Sequence, residues 1–434
     1  MEHAAAGQGA TTHANVSPGA SPENSKSAAV TVASKGAFSA PAPSLGSFVL
    51  LYALLYSAFG AASPFLPTLV EARGVPPEQI GLLFAAGTAI RLISAPIAGR
   101  IADTTHALRA TLAICAIGTA LAVLGYLTAS GLLALLAVTL LHALFLAPTT
   151  NLADALSLVA SKREGRRFEY GWVRGAGSAA FIAATLVSGF VVSASGLTAV
   201  VVLQAVLMLA VPFATRLVPP VTGSDQTFDE GITRQGVRAL IQLAVFRRIV
   251  LVAALILGSH ALHDTFSVIR WTASDISPWT ASILWSLAVA GELAVFFLIG
   301  PWLLQRLSPA TAMAIAAVAA ALRWFASALT VDVTALVLIQ PLHGCTFALL
   351  HLACMRLLAD AVPRELAATA QAIYGTVGIG AASALLTLLS GYLYSGFGAN
   401  AFLIMSLLCL AALPLTVSLR RMTELPGLLR REGK

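Results

Sequence analysis

The sequence predicts an all-α membrane protein of twelve transmembrane helices in two six-helix bundles. Three observations carry that prediction. Hydrophobic residues fill 58% of the 434 positions and charged residues only 10%, whereas a soluble chain carries about 25% charge. The apolar residues fall into runs close to the ~20 residues that a helix needs to cross the hydrocarbon. The runs lack the period-two alternation of barrel strands.

Residues 1–44 are rich in Ala, Ser, Gly, Pro and Thr and contain no apolar signal-peptide core. They read as a disordered cytoplasmic tail. Six apolar runs follow, at 46–70, 79–101, 109–128, 132–157, 170–194 and 197–217. A polar stretch, 218–248, leads to six more, at 249–271, 280–304, 311–329, 333–358, 367–394 and 398–419, and a basic tail, 420–434, ends the chain. The expected bundles are therefore 45–217 and 249–419, joined by a cytoplasmic linker at 218–248.

Orientation follows from the placement of Lys and Arg. One set of loops holds Arg109, Lys162, Arg163, Arg166, Arg167, Arg234, Arg238, Arg247, Arg248, Arg306, Arg364 and the basic tail. The other set holds Arg73 and, at a span end, Arg270. Both termini are therefore expected in the cytoplasm, as an even number of spans requires. Cys115, Cys345, Cys354 and Cys409 sit inside apolar runs without a paired-cysteine motif and read as small core hydrophobes.

The halves repeat. Tyr170-Gly171 and Tyr374-Gly375 open the fifth span of each half and lie 204 residues apart (374 − 170). Ser188-Gly189-Phe190 and Ser390-Gly391-Tyr392 lie 202 apart (390 − 188). With six spans per half, the copies share one membrane orientation, a parallel repeat. The small residues in both let neighbouring helices approach closely.

Gly99-Arg100-Ile101-Ala102-Asp103, after the second span, is similar to the opening of the signature loop of the major facilitator superfamily. The twelve spans, the parallel repeat and the cytoplasmic central loop resemble the same superfamily. The resemblance makes Asp103 a cytoplasmic gate residue, with Arg109 as its basic partner. Within the superfamily the chain resembles the branch of 3-phenylpropionate transporters, relatives of nucleoside–proton symporters. The residues that carry this are the Asp154 segment, Tyr170-Gly171-Trp172-Val173-Arg174 with Gly175, Gly177 and Ser178, Ser259-His260-Ala261, Leu284-Trp285 with Gly291-Glu292, Leu322-Arg323-Trp324, and Leu342-His343-Gly344-Cys345-Thr346-Phe347 with His351. The resemblance implies proton-coupled uptake of a small organic solute, such as an aromatic carboxylate, by alternating access across a bacterial cytoplasmic membrane.

Individual residues agree with a solute path. Glu292 lies about midway along the eighth span, where an ionisable group costs about 2.5–3.5 kcal/mol on insertion scales and usually serves function. Its carboxyl suits reversible protonation, although a neutral Glu bonded to a neighbouring helix fits the same pattern. His260, His263 and Asp264 share a face of the seventh span and suit proton transfer or the lining of a water-filled cavity. Arg91, midway along the second span, either meets a substrate carboxylate bidentately or neutralises an acid on another span. Gln340, His343 and His351 on the tenth span, with His142 and Asn151 on the fourth, add polar groups. Trp285, Phe347 and Tyr374 suit stacking on a planar substrate and equally suit packing. Asp154 and Arg174, near the cytoplasmic ends of the fourth and fifth spans, pair as a gate or a static salt bridge. Arg323, toward the outer end of the ninth span, reads as a snorkelling side chain. Trp271, Trp279 and Trp302, at span ends, read as interfacial anchors.

No third or fourth ligand converges for a metal. The sequence carries no ATP-binding phosphate loop, zinc-binding helix motif or nucleophile elbow. The expectation is a gradient-driven carrier rather than an enzyme: a monomer in the lipid bilayer, moving a small molecule with protons, without cofactor or nucleic acid. The membrane potential, about 2.3 kcal/mol per charge per 100 mV, adds to proton entry. Rival readings are export of drugs or metabolites by the same fold, a non-transporting membrane receptor and an intramembrane enzyme.

Overall fold

The computed structural model describes residues 45–162, 169–219 and 234–432. The expected tail at 1–44 and the middle of the linker, 220–233, lie outside the described residues. The described residues are helical and contain no strand. The first helices are α1 (Leu45–Ala62), α2 (Pro77–Thr104), α3 (Leu108–Leu127), α4 (Leu132–Lys162), α5 (Tyr170–Ser195) and α6 (Ala199–Leu217). Then come α7 (Ala244–Ala273), α8 (Pro278–Arg306), α9 (Pro309–Leu329) and α10 (Val333–Ala361). Among the described residues eleven helical runs are long and apolar enough to cross a membrane.

The last run, Arg364–Thr423, has 60 residues. At 1.5 Å per residue it would measure about 90 Å, about three times the hydrocarbon thickness. It turns at Gly398, whose φ of 54° is left-handed and favours glycine. The run thus divides into α11 (364–397) and α12 (401–423), consistent with twelve crossings. Large apolar side chains such as Ile97, Ile114, Phe213, Leu298 and Leu338 are exposed, as a lipid-facing surface requires.

Three boundaries differ from the sequence expectation. The first run breaks after Ala62 and resumes as a short helix, Leu66–Glu71, because Pro64 cannot donate to the helical ladder. The seventh begins at Ala244, inside the expected linker, and Arg234–Gln242 before it is also helical. The helix that contains α12 continues to Glu432, into the expected tail.

The repeat seen in sequence has a structural counterpart. α5 packs on α8, and α11 packs on α2. In each pair the repeated Ser-Gly-aromatic triplet supplies the contact. A Cβ on Gly391 would lie 2.6 Å from the Pro77 carbonyl oxygen, and one on Gly189 would run into the Ser282 side chain. Gly196 and Gly398 end the two repeated helices with positive φ, 83° and 54°.

α8 and α10 approach even more closely. A Cβ on Gly291 would lie 2.5 Å from the Pro341 carbonyl oxygen, and one on Gly344 would strike the Gly291 carbonyl. Pro341 lacks an N–H, and the helix around it tightens at Gln340–Leu342 and then widens into a π turn at Gly344–Leu349. π turns also occur at Val295–Ile299 in α8 and Tyr374–Ala381 in α11. Such widened turns are frequent at functional sites. Glu292 and His343 are the chain neighbours of the two packed glycines, so this contact fixes where both side chains begin.

Candidate functional site

A cavity of about 680 Å³ lies between the first six helices and the last six. Arg91 on α2, His142 on α4 and Gln204 on α6 line one wall. His260 and Asp264 on α7, Trp285 and Glu292 on α8, and His343 and Phe347 on α10 line the other.

The second wall is organised from behind by Arg323 on α9. Its side chain is fully buried, with 0% exposure, and its guanidinium lies 4.6 Å above the Trp324 ring. Nη1 donates to His343 Nδ1 at 3.0 Å. Nη2 donates to His263 Nε2 at 3.2 Å and to Gln340 Oε1 at 2.8 Å. A guanidinium only donates, so both histidine nitrogens must accept. The remaining ring N–H groups then point away from Arg323 and toward acids. His263 Nδ1 lies 3.1 Å from Asp264 Oδ1, and His343 Nε2 lies 3.5 Å from Glu292 Oε2. One buried cation thereby sets the tautomers of two histidines, each presenting its proton to a carboxylate on the cavity wall.

Hydrogen bonds and ring contacts join the rest of this wall. His260 Nδ1 donates to the Ile256 carbonyl at 3.0 Å, so its Nε2 accepts from Thr346 Oγ1 at 2.9 Å. Trp324 Nε1 donates to Ser259 Oγ at 2.8 Å, where α7 is interrupted. Trp285 stacks on His263 at 5.3 Å and Phe347 on His343 at 5.6 Å.

The first wall differs. Among the described residues Arg91 has neither a hydrogen bond nor an ion pair, although its side chain is exposed to the cavity.

The other sequence candidates are placed as follows. His263 and Gln340 stand behind the cavity, held by Arg323. His351 and Tyr374 meet each other, Nδ1 to hydroxyl at 3.2 Å, outside the lining. Asn151 is exposed and not part of the lining. Asp154 does not pair with Arg174. Its Oδ1 accepts from the Tyr52 hydroxyl at 2.5 Å and the Tyr170 hydroxyl at 2.9 Å. Arg174 instead lies 5.0 Å over the Tyr56 ring. Arg109 donates to the Val218 carbonyl at 2.7 Å, and no ion pair joins it to Asp103 among the described residues.

Two further sequence expectations are corrected. Arg323 does not snorkel, because the face of α9 that carries it turns inward between α7 and α10. Trp271 is not an interfacial anchor: it is 3% exposed and packs edge-on to His263 at 5.9 Å. Trp279 and Trp302 are exposed. Gln204 escaped the sequence reading. Its one available signal is a single amide within an otherwise apolar span.

Residues 45–405 match the MFS_1 like family, and the chain belongs to it: a multi-pass membrane transporter of the major facilitator type. It is 29% identical over 368 residues to the "Probable 3-phenylpropionic acid transporter" of Escherichia coli (strain K12), covering 83% of this chain and 94% of that protein. It is 26% identical over 352 residues to the "Maltose permease" of Geobacillus stearothermophilus, covering 80% and 86%. Among solved structures, the nucleoside transporter NupG superposes with a TM-score of 0.72 at 19% identity, covering 87% of this chain and 98% of NupG.

Proposed function

We propose that this transporter is a proton symporter that takes up a small organic anion, an aromatic carboxylate, across a bacterial cytoplasmic membrane. The observation that carries the proposal is the asymmetry of charge in the cavity. Arg91 offers an unpaired cation on one wall, and Glu292 offers a carboxyl beside a histidine N–H on the other. A cation with no protein partner in a low-dielectric site favours an anionic ligand. The relative named for 3-phenylpropionic acid supports the same chemistry, and Trp285 and Phe347 offer ring faces for an aromatic body.

In this reading Arg91 receives the substrate carboxylate. Glu292 binds a proton when the cavity faces outward and releases it to the cytoplasm. Asp264, His260 and His263 complete the proton-bearing wall, and His343 orients toward Glu292. Gln340 holds Arg323, while His351, Tyr374 and Asn151 serve the path beyond the cavity. The units 45–217 and 249–419 rock about the midplane, with Asp103, Arg109, Asp154 and Arg174 as cytoplasmic gate elements and both termini in the cytoplasm. The protein acts as a monomer. One proton moving with one monoanion carries no net charge, so the pH gradient alone can drive such a cycle.

The test is a substrate screen in proteoliposomes with an imposed inward proton gradient, covering aromatic acids, nucleosides and sugars. The proposal expects gradient-dependent accumulation of an aromatic acid. Accumulation of neutral solutes alone, or indifference to the gradient, would contradict it.

A further inference from the structure

Arg323 has no direct counter-ion. Its side chain is fully buried, and its side-chain hydrogen-bond partners are His343, His263 and Gln340, none of them an acid. Among the described residues no carboxylate lies within ion-pair distance of it. An isolated buried cation is strongly unfavourable, so its counter-charge must act through a partner. Two acids stand one histidine away. Asp264 Oδ1 accepts from His263 Nδ1 at 3.1 Å, whereas Glu292 Oε2 lies 3.5 Å from His343 Nε2, long for a hydrogen bond. One cation balances one carboxylate. The shorter bridge gives that place to Asp264 and leaves Glu292 free to take and release a proton.

Asp264 also faces the ligand space. The His263 side chain behind it is 4% exposed, but that of Asp264 is 57% exposed and lines the cavity. Among the described residues Asp264 makes no side-chain hydrogen bond besides the one from His263, so its second oxygen meets only what the cavity holds. Among the described residues Arg91 is the one Lys or Arg of the lining. The first carboxylate of a ligand takes Arg91. A second finds no further cation there and shares a low-dielectric space with a fixed like charge.

We infer that Asp264 is the standing counter-ion of Arg323 and that, by keeping its charge at the cavity wall, it restricts the transported aromatic acid to monocarboxylates. The inference rests on the proposed uptake of an aromatic carboxylate and narrows its substrate class. Specificity of this kind comes from a repulsive element set against the wrong ligand rather than from an added contact to the right one. With Glu292 protonated and a monoanion on Arg91, each charge in the cavity has its opposite: Arg323 has Asp264, and Arg91 has the substrate.

The experiment measures binding of radiolabelled 3-phenylpropanoate to the reconstituted transporter without a gradient, so that a variant defective in coupling is still read. The competitors are 3-phenylpropanoates with one ring carboxylate at the ortho, meta or para position, each paired with the carboxamide of similar shape. At each position where the carboxamide competes, it is expected to do so roughly 10-fold or more better than the carboxylate. Asp264→Asn should bring that ratio close to one, whereas Glu292→Gln should keep it. Folding is checked by size-exclusion chromatography. If Asp264→Asn unfolds with its cation uncompensated, Arg323→Gln/Asp264→Asn, which removes both charges, takes the same test. Carboxylates that compete as well as carboxamides in the wild type would overturn the inference and leave the proposed function standing. A ratio that survives the loss of the Asp264 charge, or that vanishes in Glu292→Gln, would do the same. Failure of all three carboxamides to compete would place the exclusion in ring fit rather than charge and overturn it too. Absence of 3-phenylpropanoate binding in the wild type would overturn the proposed function and this inference together.

Discussion

On the α7–α10 wall, both ring nitrogens of His263 and of His343 face a partner, one the shared Arg323 and the other a carboxylate. On the α2–α4–α6 wall, Arg91 has neither a hydrogen bond nor an ion pair among the described residues. The same residue types are used in both. What differs is where the partners come from. A buried polar network joined by several charge-assisted hydrogen bonds holds its protons in assigned places. A cation without a protein partner at a cavity wall is open to an anion that enters the cavity. Under the proposed function, the contrast assigns proton handling to one wall and anion reception to the other.

The largest effect should come from breaking the Arg323 network. Arg323→Gln removes a buried cation and most of three charge-assisted hydrogen bonds, and should lower folding stability in detergent by about 3 kcal/mol or more. Thermal unfolding followed by tryptophan fluorescence measures it. Arg91→Gln, in the same assay, should stay within about 0.5 kcal/mol of the wild type, because no protein partner is lost. Equal losses would erase the distinction between the walls.

A ligand-based version is next in size. Arg91→Ala should weaken competition by anionic substrates roughly 10–100-fold, the loss of hydrogen bonds to a charged group. Neutral analogues of similar shape should weaken much less. If both classes lose affinity alike, Arg91 is structural and the first wall is not an anion receptor.

The last comparison concerns backbone packing. Gly344→Ala forces a methyl into the Gly291 backbone and should cost about 1–3 kcal/mol. Gly87, on α2 of the first wall, would place its Cβ 3.2 Å from the Thr139 Cγ2 methyl, a side-chain contact only a few tenths of an ångström tighter than van der Waals contact and not a backbone overlap. Gly87→Ala should therefore cost under about 1 kcal/mol, again read by thermal unfolding.

The fold was largely legible in the sequence, because a bilayer demands long apolar helices and places charge on one side. Glu292 and Arg91 were legible for the same reason, as single ionisable groups within apolar spans. Arg323 was misread, because its depth alone suggests a snorkelling chain. Whether it turns to lipid or to the core depends on helix rotation, and in a membrane both faces of a helix are apolar. The Asp154–Arg174 pairing failed for a related reason. Tyr52, 102 residues earlier in the chain, supplies Asp154 with a hydroxyl, and no local pattern announces so distant a partner. His142 and Gln204 sit on separate helices, so their approach shows only in three dimensions.

The central claim, that Glu292 carries the coupled proton, meets its most direct test in Glu292→Gln. The variant keeps the shape of the side chain and removes the titrating group. Reconstituted in proteoliposomes with an imposed pH gradient, it should accumulate no substrate above equilibrium while remaining folded by size-exclusion chromatography. Gradient-driven accumulation at the wild-type level by this variant would contradict the account.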